Sequence, residues 1–274
     1  MTATRIFLVT DYGLDDEFVG VLHAVIARLA PAAQVIDVSH GVRAFDVVAG
    51  ASLLARAAPQ LGPGVICAVV DPGVGSSRLG VAIEADESHV LVGPNNGLLL
   101  EAAGVLGGVR RAVALTSLRG EGAPRAATFD GRDLFAPAAA RLAAGAPLES
   151  LGEPVSTDSL VVLEPAVTTA RQLPDGRVAL IATVRWIDRF GNVQLSVPGH
   201  VLEGATTAGV VVRDEDALVR VVATFSDLDP GNAGVLRDAN DAVTLVVSQG
   251  SAAARFDLAV GDRVELVGSF GPLR

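Results

Sequence analysis

The run Val65-Ile66-Cys67-Ala68-Val69-Val70 limits this chain more than any other stretch. It has no polar face and is rich in β-branched residues, so it reads as a strand covered on both sides, the kind found inside a parallel sheet flanked by helices. Asp71-Pro72-Gly73 ends it at once. A carboxylate is thereby set at the mouth of the sheet, beyond the strand's carboxyl end, where open α/β sheets bind their ligands. Asp71 and Arg78 are candidate chemistry-bearing residues on that ground, against the plainer reading of Asp-Pro-Gly as a simple turn. Gly73-Val74-Gly75 is not a dinucleotide fingerprint, because Arg78 stands at the third glycine position and Gly80 to Ile83 reads as another strand.

The segments around this strand alternate in type. Ile6 to Thr10 reads as a buried strand ending in Thr10-Asp11-Tyr12-Gly13. Asp15, Asp16 and Glu17 suit a helix start, and Phe18, Val21, Leu22, Val25, Ile26 and Leu29 follow at helical spacing, with His23 on the polar flank and Pro31 closing the segment. Gln34 to Val38 reads as a second strand, and Asp46 as the cap of a helix running to about Ala58. Strand, helix, strand, helix, strand predicts a mostly parallel sheet. Further strands are expected near 81–83, 89–92 and 109–115, with a helix at 98–106 and another through Ala144 capped by Asp130 or Asp133. Asn95 and Asn96 follow a strand as a turn, or as two carboxamides facing a polar ligand.

From Ala146 to Asp175 the period is lost and prolines recur. Beyond it come short β-rich runs: 178–186, 193–197, 209–212, 218–225, 243–247 and 263–267. The expectation is an α/β domain over 1–165, a linker over 166–177 and a smaller all-β, barrel-like domain over 178–274. The segment 186–192, with the only Trp beside Asp188 and Asn192, reads as a hairpin turn or as a nucleobase or amino-acid pocket.

With 274 residues, half of them hydrophobic, the chain has ample material for a core. A net charge of -10 without a Lys/Arg cluster argues against nucleic acid or an anionic membrane as partner. Met1 to Arg5 runs into the first strand with no leader-like pattern, so a cytoplasmic location is expected. Cys67, the single cysteine, reads as core, and His23, His40, His89 and His200 lack metal-ligand spacing, so no metal is expected.

Seven separated motifs, taken together, resemble the S-adenosylmethionine hydroxide adenosyltransferase family, hydrolases related to fluorinase and chlorinase. They are Thr10-Asp11-Tyr12-Gly13 with Asp16 and Phe18-Val19-Gly20; Asp37-Val38-Ser39-His40 with Phe45-Asp46; Val70 to Gly75 with Arg78; Pro94 to Leu99; Thr128-Phe129 with Gly131-Arg132-Asp133; Asp188 to Asn192; and Gln249 to Ala253. The resemblance implies an N-terminal α/β domain and a C-terminal β-barrel, a homotrimer with active sites at subunit interfaces, and attack at the ribose C5' of S-adenosylmethionine that expels methionine without a cofactor. It implies ribose hydroxyls on Asp11, the sugar or methionyl arm against Phe45, and the ribose side lined by Asn95 and Asn96. Asn192 would read the adenine and Asp188 hold the methionine ammonium, with Asp16, Phe129, Phe190 and Gln249 as further substrate-binding positions. The family's water-activating Asp, Arg and His map to Asp71, Arg78 and position 130, where this chain has Asp130. Two close carboxylates would push one pKa up and leave one group protonated. Hydrolysis is the leading reading. Halogenation is opposed by the Asp71 charge, and a third reading is a protein that binds S-adenosylmethionine or adenosine with the chemistry lost at Asp130.

Overall fold

The computed structural model describes residues 5–116, 128–213 and 215–273; the leader reading, which concerns Met1 to Thr4, lies outside them. The chain divides into two compact units, Met1–Leu163 and Glu164–Arg274.

The first unit runs β1 (Arg5–Thr10), α1 (Phe18–Leu29), β2 (Gln34–Ser39), α2 (Val47–Ala57), β3 (Gly64–Val69), β4 (Gly80–Glu84), β5 (His89–Pro94), α3 (Leu100–Val105), β6 (Arg111–Ala114), a π-helical turn Gly131–Phe135 and α4 (Ala136–Ala143). The sheet order is β2-β1-β3-β5-β4-β6. The first four of these strands are parallel, and β4 is antiparallel to both neighbours. Every residue of β3 is buried, as a run without a polar face requires. Alternation splits the core in two. Ile6, Leu8 and Cys67 pack with Leu22, Ile26 and Phe135 on one face, while Phe7, Val9 and Ile66 pack with Leu54 and Leu98 on the other. Burial pushes the Cys67 thiol up to about 12, so it stays an inert core group.

This topology brings the ends of β1, β2, β3 and β5 to one edge, and with them Asp11, His40, Asp71 and Asn95. Helix starts depart in part from the sequence reading. Asp46 caps α2 through Ala49 N–H at 2.9 Å, but α1 begins only at Phe18, and Glu17 makes no side-chain cap bond. Neither Asp130 nor Asp133 caps the fourth helical segment: Asp130 makes no cap bond, and Asp133 takes the Arg132 guanidinium at 2.8 Å. Asp130 takes Arg78 Nη2 at 2.7 Å, so each carboxylate has an arginine partner, a charge-assisted bond stronger than a neutral one.

The second unit contains β7 (Thr169–Gln172), β8 (Val178–Ile187), β9 (Val193–Pro198), β10 (Thr207–Val212), β11 (Glu215–Val221), β12 (Ala233–Arg237), β13 (Ala242–Val247), a one-turn helix α5 (Ala252–Arg255) and β14 (Arg263–Gly268). Its order is β14-β10-β11-β12-β13-β9-β8-β7, and a β14–β8 pairing closes the sheet into a barrel. Val184, Leu195, Val210, Val235, Leu245 and Leu266 fill the interior. The stretch read as linker is partly strand. β7 pairs with β8 and is exposed throughout, so no hydrophobic alternation marks it in the sequence.

Candidate active site

Four segments of the first unit converge on a cavity of about 420 Å³. Asp11, Tyr12, Asp16 and Phe18 come from the turn after β1 and the start of α1; Phe45 comes from the loop before α2; Asp71 and Val74 follow β3; Thr128 to Gly131 lead into the π-helical turn. Asp11 Oδ2 accepts the Phe45 N–H at 2.9 Å. Phe45 is held at φ 68°, a conformation a bulky residue rarely adopts, and the residue remains 73% exposed. Strain of this kind persists only where surrounding bonds enforce it, and the Asp11 carboxylate supplies one. Tyr12, Phe18 and Phe129 form an aromatic wall with ring centroids 5.2 to 5.8 Å apart. Gly131 leaves room for the Tyr12 hydroxyl: a Cβ there would lie 2.3 Å from Tyr12 Oη. Burial, then Cys67, Asp11, Asp71 and Asp130, hold the Tyr12 phenol well above its ordinary pKa, so it presents a neutral O–H.

Behind the cavity wall Arg78 ties two carboxylates together. Its Nε donates to Asp71 Oδ1 at 3.1 Å, and its Nη2 contacts both Asp71 Oδ2 and, at 2.7 Å, Asp130 Oδ2. All three side chains are nearly buried, at 8%, 6% and 12% exposure for Arg78, Asp71 and Asp130. The guanidinium also lies 5.3 Å from the Phe135 ring centroid, a cation–π contact that fixes its plane. Arg78 does not itself line the cavity, whereas Asp71 and Asp130 do. Its role in this geometry is to hold the carboxylates. Burial raises the Asp71 pKa, Arg78 opposes the rise and Asp130 adds to it. Burial is the largest cause of the rise, and the Asp130 contribution is smaller than the Arg78 attraction that opposes it. A carboxylate raised toward neutrality is a stronger base than an ordinary aspartate.

The other sequence candidates are placed differently. Asn95 and Asn96 do not line the cavity. Asn95 holds the 159–161 segment through Ser159 O at 3.2 Å and Val161 N–H at 2.9 Å, while Asn96 bonds Val70 O at 2.8 Å and Leu98 N–H at 3.2 Å. Both carboxamides serve the backbone of the loop. In the second unit, Asp188 and Asn192 border a separate cavity of about 310 Å³ with Trp186, Gln194, Phe225 and Asp238. Asp188 accepts from the N–H groups of Phe190 and Asn192 and from Asn192 Nδ2 at 2.7 to 2.9 Å, the turn its sequence suggested. Phe190 and Gln249 are exposed, and neither lines that cavity.

Sequence reasoning did not single out Tyr12, Phe18 or Thr128 individually, although each lay inside a quoted motif. It also missed Gln194 and Thr244, which donate to Asp238 at 2.6 and 2.9 Å and carry no signal before the barrel pairs their strands.

Residues 6–152 match the model described as SAM hydroxide adenosyltransferase N-terminal domain, and residues 182–265 match the corresponding C-terminal domain. A protein of Salinispora tropica named (R)-S-adenosyl-L-methionine hydrolase is 47% identical, over 94% of this chain and 95% of its own. A Thermus thermophilus protein of the same name is 35% identical, over 96% and 99%. The crystal structure of an uncharacterized conserved protein from Thermotoga maritima superposes with a TM-score of 0.86 at 32% identity, covering 95% of this chain and 99% of that one.

Proposed function

Because the chain belongs to the SAM hydroxide adenosyltransferase family, we propose that it hydrolyses S-adenosylmethionine to adenosine and L-methionine, without a cofactor. The observation that carries this reading is the pair of carboxylates on the cavity wall, Asp71 and Asp130, braced from behind by Arg78.

The sulfonium is already a cationic leaving group, so the site needs to place a nucleophile more than to activate a departing one. A water oxygen attacks C5' in line with the C5'–S bond. The bond's electron pair goes to sulfur, methionine leaves neutral at sulfur, and the water's proton passes to Asp71, whose raised pKa suits it to accept. Holding water and C5' in line is worth roughly 7–11 kcal/mol. The free oxygen of Asp11 takes a ribose hydroxyl, and Phe45 and Phe129 cover the apolar surface of the substrate. Asp188 and Asn192 take the methionine ammonium and the adenine, supplied by a neighbouring subunit of a homotrimer. Asp71 and Asp130 side by side disfavour a halide in place of water.

The test is incubation of the pure protein with each sulfonium epimer of S-adenosylmethionine, since the relatives' names specify the R form. Chloride or fluoride is added to parallel samples, and products are separated by chromatography. Adenosine and methionine in equal amounts, unaffected by halide, are expected. A halogenated adenosine, or binding without product, would replace this reading by the corresponding alternative.

A further inference from the structure

Beneath the turn that carries Asp11 lies a buried histidine outside the chemistry described so far. His40 is nearly sealed from solvent and grips both ends of that turn. Its Nδ1 lies 2.8 Å from Thr10 Oγ1, before Asp11, and its carbonyl accepts the Gly13 N–H at 2.8 Å, after it. The Tyr12 N–H donates to Thr10 Oγ1 at 3.2 Å, so the Thr10 hydroxyl is free to donate to His40 Nδ1. The ring proton is then on Nε2, which lies 3.0 Å from Asp37 Oδ1 but off the direction of a hydrogen bond. The contact turns the ring's polar edge toward the carboxylate without an aimed hydrogen bond. His23 Nε2 shares the same Asp37 Oδ1 at 2.9 Å and lies 3.2 Å from Oδ2. A carboxylate behind an imidazole selects its tautomer and orientation.

We infer that His40 is a positioning residue for the proposed reaction, holding the Thr10–Gly13 turn so that Asp11 presents its free carboxylate oxygen to the ribose. Asp11 Oδ2 already accepts the Phe45 N–H, so Oδ1 keeps the larger accepting capacity for substrate, and its placement depends on the turn. The inference rests on the hydrolase reading and predicts something that reading alone does not, namely that damage at His40 appears as lost recognition of ribose hydroxyls.

The experiment measures kcat and KM for the parent, His40→Ala and Thr10→Val, on S-adenosylmethionine and on its 2'-deoxy and 3'-deoxy ribose analogues, with a melting curve for each protein. Thr10→Val keeps the side-chain volume and removes only the hydroxyl, so it reports even if His40→Ala does not fold. Both variants are expected to raise KM for S-adenosylmethionine about tenfold, the scale of one hydrogen bond to a charged group. With the analogue lacking the hydroxyl that Asp11 holds, KM should change less than about twofold, because that bond is already missing. Equal losses on all substrates, or no loss in Thr10→Val, would overturn the inference and leave the hydrolase reading standing. A parent that converts none of the substrates would overturn both.

Discussion

At the scale of single residues, Asp71 is held in a state that costs the fold and serves the site. Its folded pKa lies above the unfolded carboxylate value of about 3.9. The associated stability is therefore fully present below that value and is lost as pH rises through the raised folded pKa. At neutral pH the protein keeps an ionised carboxylate in a pocket already containing Asp130, with one arginine between them. Asp71→Asn should lower kcat about 100-fold or more, yet melt no lower than the parent at pH 7.5, with any gain in melting temperature smaller at pH 4. A variant that melts well below the parent at pH 7.5 would show that the Arg78 bond outweighs the burial cost. Asp130→Ala tests the neighbour. It removes a charge that raises the Asp71 pKa, so the acid limb of the kcat profile should move to lower pH and kcat should fall about tenfold. Asp130→His introduces the residue that the family resemblance implies at this position and should match or exceed parent turnover. If neither substitution changes turnover, Asp130 has no part in the reaction.

Single elements show why some features were legible and others were not. The strand at 65–70 and the cap at Asp46 are local facts: the first is one apolar run, and the second is a side chain meeting an N–H three residues on. Asp130 looked like a cap for the same local reason, but its partner is Arg78, 52 positions away, and only the sheet brings the two together. Asn95 and Asn96 each donate to a distant backbone carbonyl, Ser159 O and Val70 O, partners that no local pattern in the sequence announces. Gly93 is another long-range case. It reads as an ordinary strand residue, yet a Cβ there would lie 2.2 Å from the Ala68 carbonyl of the adjacent strand. Gly93→Ala should therefore cost about 1–3 kcal/mol in chemical denaturation. Gly104→Ala, on α3 with nothing within 4 Å of the new atom, should stabilise by about 0.5–1 kcal/mol. Equal effects at the two positions would mean that intrinsic helix and strand preference, and not the close approach, governs Gly93.

At the scale of the whole molecule, the change of texture near residue 165 corresponds to two separate hydrophobic interiors. Leu180, Leu195, Val235, Leu245 and Leu266 belong to a cluster drawn entirely from the second unit. Its sheet leaves no open seam between first and last barrel strands, because β14 pairs with β8 over six residue pairs, Arg263–Gly268 against Val178–Thr183. Closure satisfies backbone groups that an open sheet would expose for association, and an interior of its own is what independent folding needs. A fragment beginning at Glu164 should accordingly give a β-type circular dichroism spectrum and one cooperative thermal transition, reversible on cooling. It should show no hydrolysis alone, since Asp11, Asp71, Arg78 and Asp130 all lie in the first unit. A fragment that melts without cooperativity would mean that the barrel requires the rest of the chain. The two interiors would then count as one folding unit despite their separation in sequence.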